Sequence, residues 1–157
     1  MDEVADADQV PSSSAPGPFS GFDLQVLVDR PVYAPGETVR ISVTAANHGD
    51  RFVEHLYPGW QRYLLAICDQ WHRPVADDEV VRPADTPALD RWLPGQVAIW
   101  PTYWAQAGGP IVPGRSGEPP GTRVVPGRYR ARVTWLGREP GQRDRLADAW
   151  STWFELT

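Results

Sequence analysis

The sequence contains no lysine and only one cysteine among its 157 residues. The lone cysteine, Cys68, excludes an internal disulfide, and its apolar neighbours Leu64 to Ile67 predict a buried thiol, with a reactive thiol as the alternative. All fifteen residues of the Lys and Arg types are arginines. Together with the abundance of Ala, Pro and Gly, this bias is typical of a GC-rich bacterial genome.

The chain also lacks a long apolar run and a basic patch. No stretch approaches the roughly 18 apolar residues of a membrane span, so we expect none. The absence of a basic patch argues against a nucleic-acid partner. The start is acidic and has no apolar signal-peptide core, which predicts a cytoplasmic protein if Met1 is native. If Met1 was added to a processed chain, the same residues would be the mature domain of an exported protein.

The net charge of −5 is unevenly distributed. Residues 1–20 carry Asp2, Glu3, Asp6 and Asp8 without a basic residue, which gives −4, and the other 16 acids and 15 arginines leave −1 for residues 21–157. Because residues 1–20 also contain several Pro and Ser and little to bury, we predict a disordered tail there. It would be either a solvated tail or a tether. Residues 21–157 are long enough for one domain with its own core.

Alternating polarity predicts β-strands along this domain. Tyr129, Ala131, Val133 and Trp135 fall on one face of a strand that follows the Pro126-Gly127 turn, and arginines fall on the other. Residues 22–29 and 38–46 alternate in the same way, whereas residues 62–69 are apolar on both faces and predict a central strand. Pro101 within residues 96–104 predicts an edge strand. The pattern indicates an all-β fold, a single immunoglobulin-like antiparallel β-sandwich of about seven strands, in which Tyr129 could form a tyrosine corner across the sheets.

No motif in the sequence points to catalysis. The spacings of His48, His55, His72 and Cys68 match no recognised metal site. The serines lie outside any nucleophile elbow, and the Gly-rich stretch within residues 105–123 lacks the lysine of a phosphate-binding loop. We therefore expect no metal, no cofactor and no enzymatic activity.

Tryptophan is the unusual component, because eight are more than one small core requires. Alternation places Trp135 and Trp150 inward and Trp153 outward, beside the arginine row, where guanidinium groups would stack on the indole. Trp100 and Trp104 lead into residues 105–123, a long Gly/Pro-rich loop of the kind that is often functional. Aromatic side chains with arginine are enriched at interfaces, so we predict a binding surface that includes Trp100, Trp104 and Trp153.

Four segments between Ser42 and Trp135 resemble one known family. They are a strand that ends in Asn (Val43 to Asn47), an aromatic-led strand that ends in Asp before a tryptophan (Tyr63 to Trp71), a Pro-Gly turn before a Trp-containing edge strand (Leu93 to Trp104), and a Pro-Gly-Arg-Tyr hairpin (Pro126 to Tyr129). In this respect the chain resembles the bacterial intracellular proteinase inhibitor family, also called BsuPI-like domains. The resemblance implies a β-sandwich that inhibits serine proteases.

Three functions follow as hypotheses. The first is a non-catalytic module that binds another protein, with a serine protease as the implied partner; prolines would stiffen residues 105–123, and Arg115 or Arg123 would mimic a cleavage site. The second is a carbohydrate-binding module that uses exposed tryptophans as sugar platforms. The third is a structural spacer domain of a surface protein. The sequence gives no oligomeric state.

Overall fold

The computed structural model describes residues 21–78, 87–111, 122–140 and 147–157, and these residues form an all-β protein. The predicted tail, residues 1–20, lies outside the described residues, as do residues 112–121 of the predicted long loop. In chain order the strands are β1 (Phe22–Val28), β2 (Val32–Tyr33), β3 (Val39–Asn47), β4 (Val53–Tyr57), β5 (Tyr63–Asp69), β6 (Pro74–Asp78), β7 (Ala88–Trp92), β8 (Val97–Trp104), β9 (Gly109–Ile111), β10 (Gly127–Trp135), β11 (Asp148–Trp150) and β12 (Phe154–Leu156). No helix in the described part of the chain is long and apolar enough to cross a membrane.

The strands form three sheets. The first has the order β1-β3-β8, with both pairs antiparallel. The second has the order β2-β12-β10-β5-β6-β9, and β11 also pairs with β10. The β2–β12 and β6–β9 pairs in this sheet are parallel. The third is the antiparallel pair β4-β7.

One hydrophobic core lies between these sheets. The inward residues of β3, at alternate positions from Val39 to Ala45, contribute from the first sheet, and those of β10, from Tyr129 to Trp135, contribute from the second. The rings of Phe22 and Trp135 meet at a centroid distance of 5.4 Å, and so join the two sheets. The alternation predicted for β10 is therefore confirmed, and it arises because only one face of that strand is turned to the core.

The strand count differs from the predicted seven. The described residues hold twelve strands, some of only two or three residues. The additional elements include β7, and also β9, which lies in the predicted long Gly/Pro loop. Both have a strand partner, β4 and β6 respectively, so long-range pairing outweighs the weak local preference of these segments.

The last part of the chain is the clearest departure from the simple alternation. A continuous strand would place Trp150 inward, but β11 ends at Trp150 and β12 begins at Phe154. Trp150 lies opposite Arg132 in the β10–β11 register, and residues directly opposite share a face of the sheet. The prediction that Trp150 faces inward is therefore wrong, because the break at residues 151–153 resets the alternation.

Candidate functional site

Two of the predicted binding residues are turned toward the core. Trp104 is 3% exposed, and its Nε1–H donates to the Ala107 carbonyl at 2.9 Å. Trp100 is half-buried on the same face of β8, with its ring centroid 5.9 Å from that of Trp135. The expectation that Trp104 contacts a partner at the surface is corrected: its indole packs against Tyr129 and Phe154 between the sheets.

Of the two predicted cleavage-site arginines, only Arg123 lies within the described residues. Arg115 lies outside the described residues. Arg123 is exposed, but its Nη2–H donates to the carbonyl oxygen of Thr157 at 2.8 Å. That bond would have to break before the Arg123 guanidinium could enter the pocket of a trypsin-like enzyme.

Trp153 lies where the sequence predicts it, on the outer face of the second sheet beside the arginine row. Arg130 Cζ is 4.6 Å from the centroid of the Trp153 ring and 3.9 Å from that of Trp150. Arg128 stacks on Trp153 at 5.3 Å, and Arg132 stacks on Trp150 at 5.4 Å. We call these five residues the Arg–Trp face. Such cation–π contacts are each worth about 0.5–1 kcal/mol at an exposed site.

His72 extends the Arg–Trp face toward the β5–β6 turn. Its Nδ1 accepts a hydrogen bond of 2.8 Å from Arg130 Nη2, and its ring lies 5.9 Å from Trp150. The backbone of His72 has a φ of 63°, a left-handed conformation that is uncommon for residues other than glycine. The carboxylate of Asp69 holds this turn by accepting from the N–H groups of Trp71 and Arg73. The turn thus holds the His72 ring against the Arg130 guanidinium.

The only cysteine lies on the same face of the second sheet as the arginine row. Cys68 pairs with Arg130 in the β5–β10 register, so its side chain points to the outer face of the sheet, yet it is 0% exposed. Burial raises the pKa of the Cys68 thiol above its ordinary value. The buried thiol predicted from the sequence is confirmed, and it lies on the arginine-bearing face of the second sheet rather than on the face turned to the core.

The arginines of the Arg–Trp face make no ion pair with a carboxylate of the described residues. Glu155 lies opposite Arg128 in the β10–β12 register, and both are exposed, but they are not paired. Burial lowers the pKa of the Arg130 guanidinium, which nevertheless stays charged at neutral pH. Its Nε–H is buried and meets no acceptor within the described segments. The face therefore carries positive charge that stacking orders but does not neutralise.

A second exposed surface, which the sequence patterns do not predict, lies on β8. The outward positions of β8 are apolar: Val97 is 54% exposed, Ile99 62% and Tyr103 53%, and Pro101 between them is also exposed. We call these four residues the β8 row. The sequence signal was ambiguous because both faces of β8 are apolar. The sequence predicts Trp100 and Trp104 as binding residues, whereas these larger rings are turned toward the core.

The backbone of β8 is also open, along the edge of the strand that faces away from β3. β8 is the edge strand of the first sheet as far as the described residues extend, which confirms the edge predicted from Pro101. The Asn47 N–H donates to the Gln96 carbonyl at 3.0 Å. In an antiparallel ladder the next residue, Val97, then directs its N–H and C=O away from β3, as do alternate residues along the strand. Pro101 falls at one of these outward positions, where its missing N–H leaves no bond to β3 unmade.

The described residues offer little for acid–base or metal chemistry. Among the Asp, Glu and His side chains, Asp78 and His55 have the most displaced pKa values. Burial raises the pKa of Asp78 to about 6 and lowers that of His55 to about 4. His55 is buried in the core, where its Nδ1 accepts from Trp135 Nε1 at 3.2 Å. No group of three or more His, Cys, Asp or Glu residues in the described segments is arranged to hold a metal ion.

Comparison with known proteins assigns the chain to no family. No protein-family model matches the chain, and no curated protein matches it. Among solved structures, a beta-glucosidase from Listeria innocua is 13% identical with a TM-score of 0.43, covering 86% of this chain and 16% of the enzyme. A sporulation control protein from Bacillus subtilis is 11% identical with a TM-score of 0.43, covering 88% of this chain and 50% of that protein. The chain therefore spans about a sixth of the first of these proteins and half of the second.

Proposed function

We propose that the protein is a non-catalytic protein-binding module that adds an extended segment of its partner to the open edge of β8. The observation that carries the proposal is the coincidence, on one strand, of an open backbone edge and the apolar β8 row. Backbone N–H and C=O groups would supply affinity, and the side chains at alternate positions would supply specificity. Exposed apolar side chains in a contiguous row, unlike scattered single ones, are typical of interaction surfaces.

The finer forms of this proposal are an immunoglobulin-like sandwich and the inhibition of serine proteases. In support of the sandwich, the first two sheets share one core, and the Tyr129 hydroxyl donates to the Val125 carbonyl at 2.5 Å. That bond reaches four residues upstream, the geometry of a tyrosine corner, rather than across the sheets. Protease inhibition rests on the resemblance of the turn motifs to the proteinase inhibitor family.

The test compares the wild type with two matched substitutions. Ile99→Lys places a charge in the β8 row, and Val125→Lys places the same charge at a residue that is 73% exposed and lies outside the row. Each protein is immobilised and exposed to source-cell lysate and, separately, to trypsin, chymotrypsin and subtilisin. We expect a partner that wild type and Val125→Lys retain and that Ile99→Lys loses. A partner retained equally by all three would refute the β8 edge as the contact surface.

The same experiment separates the narrower forms. If one of the three proteases is bound and inhibited by wild type but not by Ile99→Lys, the inhibitor form is supported. If wild type binds no protein at all, the spacer function replaces the binding module.

Carbohydrate binding is retained as a second candidate on one observation. Trp60 is 64% exposed, and a sugar platform requires an open indole face. Trp71 is equally exposed, but Arg73 Cζ lies 5.0 Å from the centroid of its ring. Trp150 and Trp153 do not qualify, because guanidinium groups occupy their faces. Titration with oligosaccharides, read by tryptophan fluorescence in wild type and Trp60→Ala, tests this candidate. Equal spectra with and without every glycan class would eliminate it.

A further inference from the structure

The open edge of β8 changes in character along its length. At its start, Val97 and Ile99 expose apolar side chains on the outer face, and Ala98 and Trp100 are only half-buried on the inner face. Toward its end the inner face is closed, because Trp104 is 3% exposed. A segment added beside β8 would therefore meet apolar surface on both faces near the start of the strand, and on the outer face alone near its end.

A free positive charge lies at the closed end of the edge. Arg40 of β3 is exposed and lies opposite Tyr103, so the two side chains share the outer face of the first sheet. Within the described segments the Arg40 side chain makes no hydrogen bond, ion pair or ring contact. Asp29 lies close, because its N–H donates to the Arg40 carbonyl, but its Oδ1 accepts from the Tyr33 hydroxyl. The Arg40 guanidinium is thus available to a carboxylate from outside.

A negative charge lies at the other end. Asp23 of β1, Ala46 of β3 and Val97 of β8 occupy one row across the first sheet. The Asp23 carboxylate lies 3.7 Å from Nε2 of His48, an exposed histidine whose charge depends on pH. With the histidine neutral, an acidic residue on an added segment is repelled near Val97 and attracted near Arg40. Charge and apolar surface therefore favour the same placement.

Arg40 can reach a strand that is added beyond β8. Neighbouring strands lie about 4.8 Å apart, so the added strand would lie about 9.6 Å from β3. An arginine and a glutamate that extend toward each other across Tyr103 together span this distance. Both strand pairs in the first sheet are antiparallel, and antiparallel ladders are slightly more stable per residue than parallel ones. An added antiparallel segment places its first residue beside Tyr103.

We propose that the β8 edge selects a partner segment that begins with glutamate beside Tyr103 and continues, antiparallel to β8, into β-branched apolar residues beside Trp100 to Val97. Arg40 sets the direction of the segment through its charge. The inference rests on the proposed function, because a segment must first add to this edge. The carbonyl opposite Pro101 takes its hydrogen bond from water, since the edge is exposed and proline has no N–H.

Titration of the full-length protein with three capped heptapeptides at pH 8, where histidine is neutral, tests the inference. The first is Glu-Thr-Thr-Val-Ile-Val-Val, the second begins with Gln instead of Glu, and the third has the reversed order. The NMR amide signals of Val97, Ile99 and Tyr103 report both where each peptide binds and how tightly. The protein variants are Arg40→Gln and, as the matched loss of an exposed arginine on β7, Arg91→Gln.

We expect wild type to bind the Glu peptide about two- to fivefold more tightly than the Gln peptide, the range for an exposed ion pair. The reversed peptide should bind more weakly than the Glu peptide, because its carboxylate would lie near Asp23. The preference for Glu over Gln should disappear in Arg40→Gln and persist in Arg91→Gln.

The outcomes separate this inference from the proposed function. Equal affinities for the Glu and Gln peptides, or for the Glu and reversed peptides, would overturn the inference, and loss of all binding in Ile99→Lys would still support the β8 edge. Equal signal changes in wild type and Ile99→Lys would count against the edge itself. If no peptide changes these signals, the inference fails, and a lysate partner that wild type retains and Ile99→Lys loses would still support the edge.

Discussion

The hydroxyl oxygen of Ser151 accepts a hydrogen bond of 2.9 Å from the backbone N–H of Ala131, within the buried part of β10. The Ser151 N–H in turn donates to the Ala131 carbonyl at 2.8 Å. A side chain thus stands in for the carbonyl that a continuous strand would have supplied, in the break between β11 and β12. The break is tolerated because this pair leaves no backbone group of Ala131 unpaired.

Ser151→Ala removes that acceptor. We expect the free energy of unfolding to fall by about 1–3 kcal/mol, because the buried Ala131 N–H loses its partner. Chemical denaturation measures the change, and Thr152→Ala, at an exposed neighbour, serves as the control with an expected change within about 0.5 kcal/mol. Equal losses in the two variants would show that the hydroxyl is not required.

Arg130→Ala opens the cover over Cys68. Arg130 and Cys68 lie directly opposite each other on neighbouring strands and share a face of the sheet, so removal of the Arg130 side chain should convert a slowly reacting cysteine into one that a disulfide reagent modifies readily. The measurement is the rate of thiol release with an aromatic disulfide under native conditions. Arg91→Ala removes a guanidinium stacked on Phe52, away from Cys68, and should leave the wild-type rate unchanged. A wild-type rate in Arg130→Ala would contradict the proposed cover.

The pH dependence of stability should reveal two opposing groups. Between about pH 4 and 6 the folded protein holds a proton on Asp78 that the unfolded chain has released, so this group makes stability fall as pH rises. Over the same range the unfolded chain holds a proton on His55 that the folded protein excludes, so this group makes stability rise with pH. The two contributions largely cancel in the wild type.

Asp78→Asn removes one side of this balance and retains an oxygen that can accept from the Leu65 N–H. We expect its free energy of unfolding to rise by about 1 kcal/mol per pH unit between pH 4.5 and 6, while the wild type stays nearly flat. Denaturation curves at pH 4.5, 5, 5.5 and 6 give both profiles. Parallel profiles for the two proteins would show that Asp78 is not the compensating group.

Gly137 is required for space rather than for its backbone angle. A Cβ at this position would lie 2.5 Å from Trp135 Nε1 and 2.7 Å from Tyr57 Cε1, two rings of the core. Gly137→Ala should therefore destabilise the fold by about 1–3 kcal/mol through overpacking. Gly36→Ala is the comparison, because its Cβ would meet nothing within 4 Å and only its φ of +79° opposes the change. A lower melting temperature for Gly36→Ala than for Gly137→Ala would argue against crowding at Gly137.

Much of the fold follows from alternation and turn chemistry. The faces of β10, the central place of β5, the edge position given by Pro101 and the stacking of Trp153 on arginine are all confirmed. Each is a local pattern that acts through a strong physical constraint, such as the missing N–H of proline.

The remaining features depend on groups that are distant in sequence. Whether Trp100 or Ile99 faces inward cannot be read from an apolar strand, because the outcome is decided by which set fills the space beside Trp135. The outward turn of Trp150 depends on the Ser151–Ala131 pair, which joins residues twenty positions apart. The sequence predicts one contact of the Arg–Trp face, the stacking of Trp153 on arginine, whereas the place of Cys68 beside Arg130 depends on the β5–β10 register.

The position of Pro101 limits how copies of this protein could associate. An open apolar edge is a template on which strands can add without end, and such growth ends in fibrous aggregates. A second β8 laid against the first would find one outward site that cannot donate, and its own Pro101 would create another. Each register that includes a Pro101 would then leave at least one carbonyl without a donor. The proline thus discourages self-assembly, and a foreign segment that pairs with this edge must place no carbonyl that needs a donor opposite Pro101.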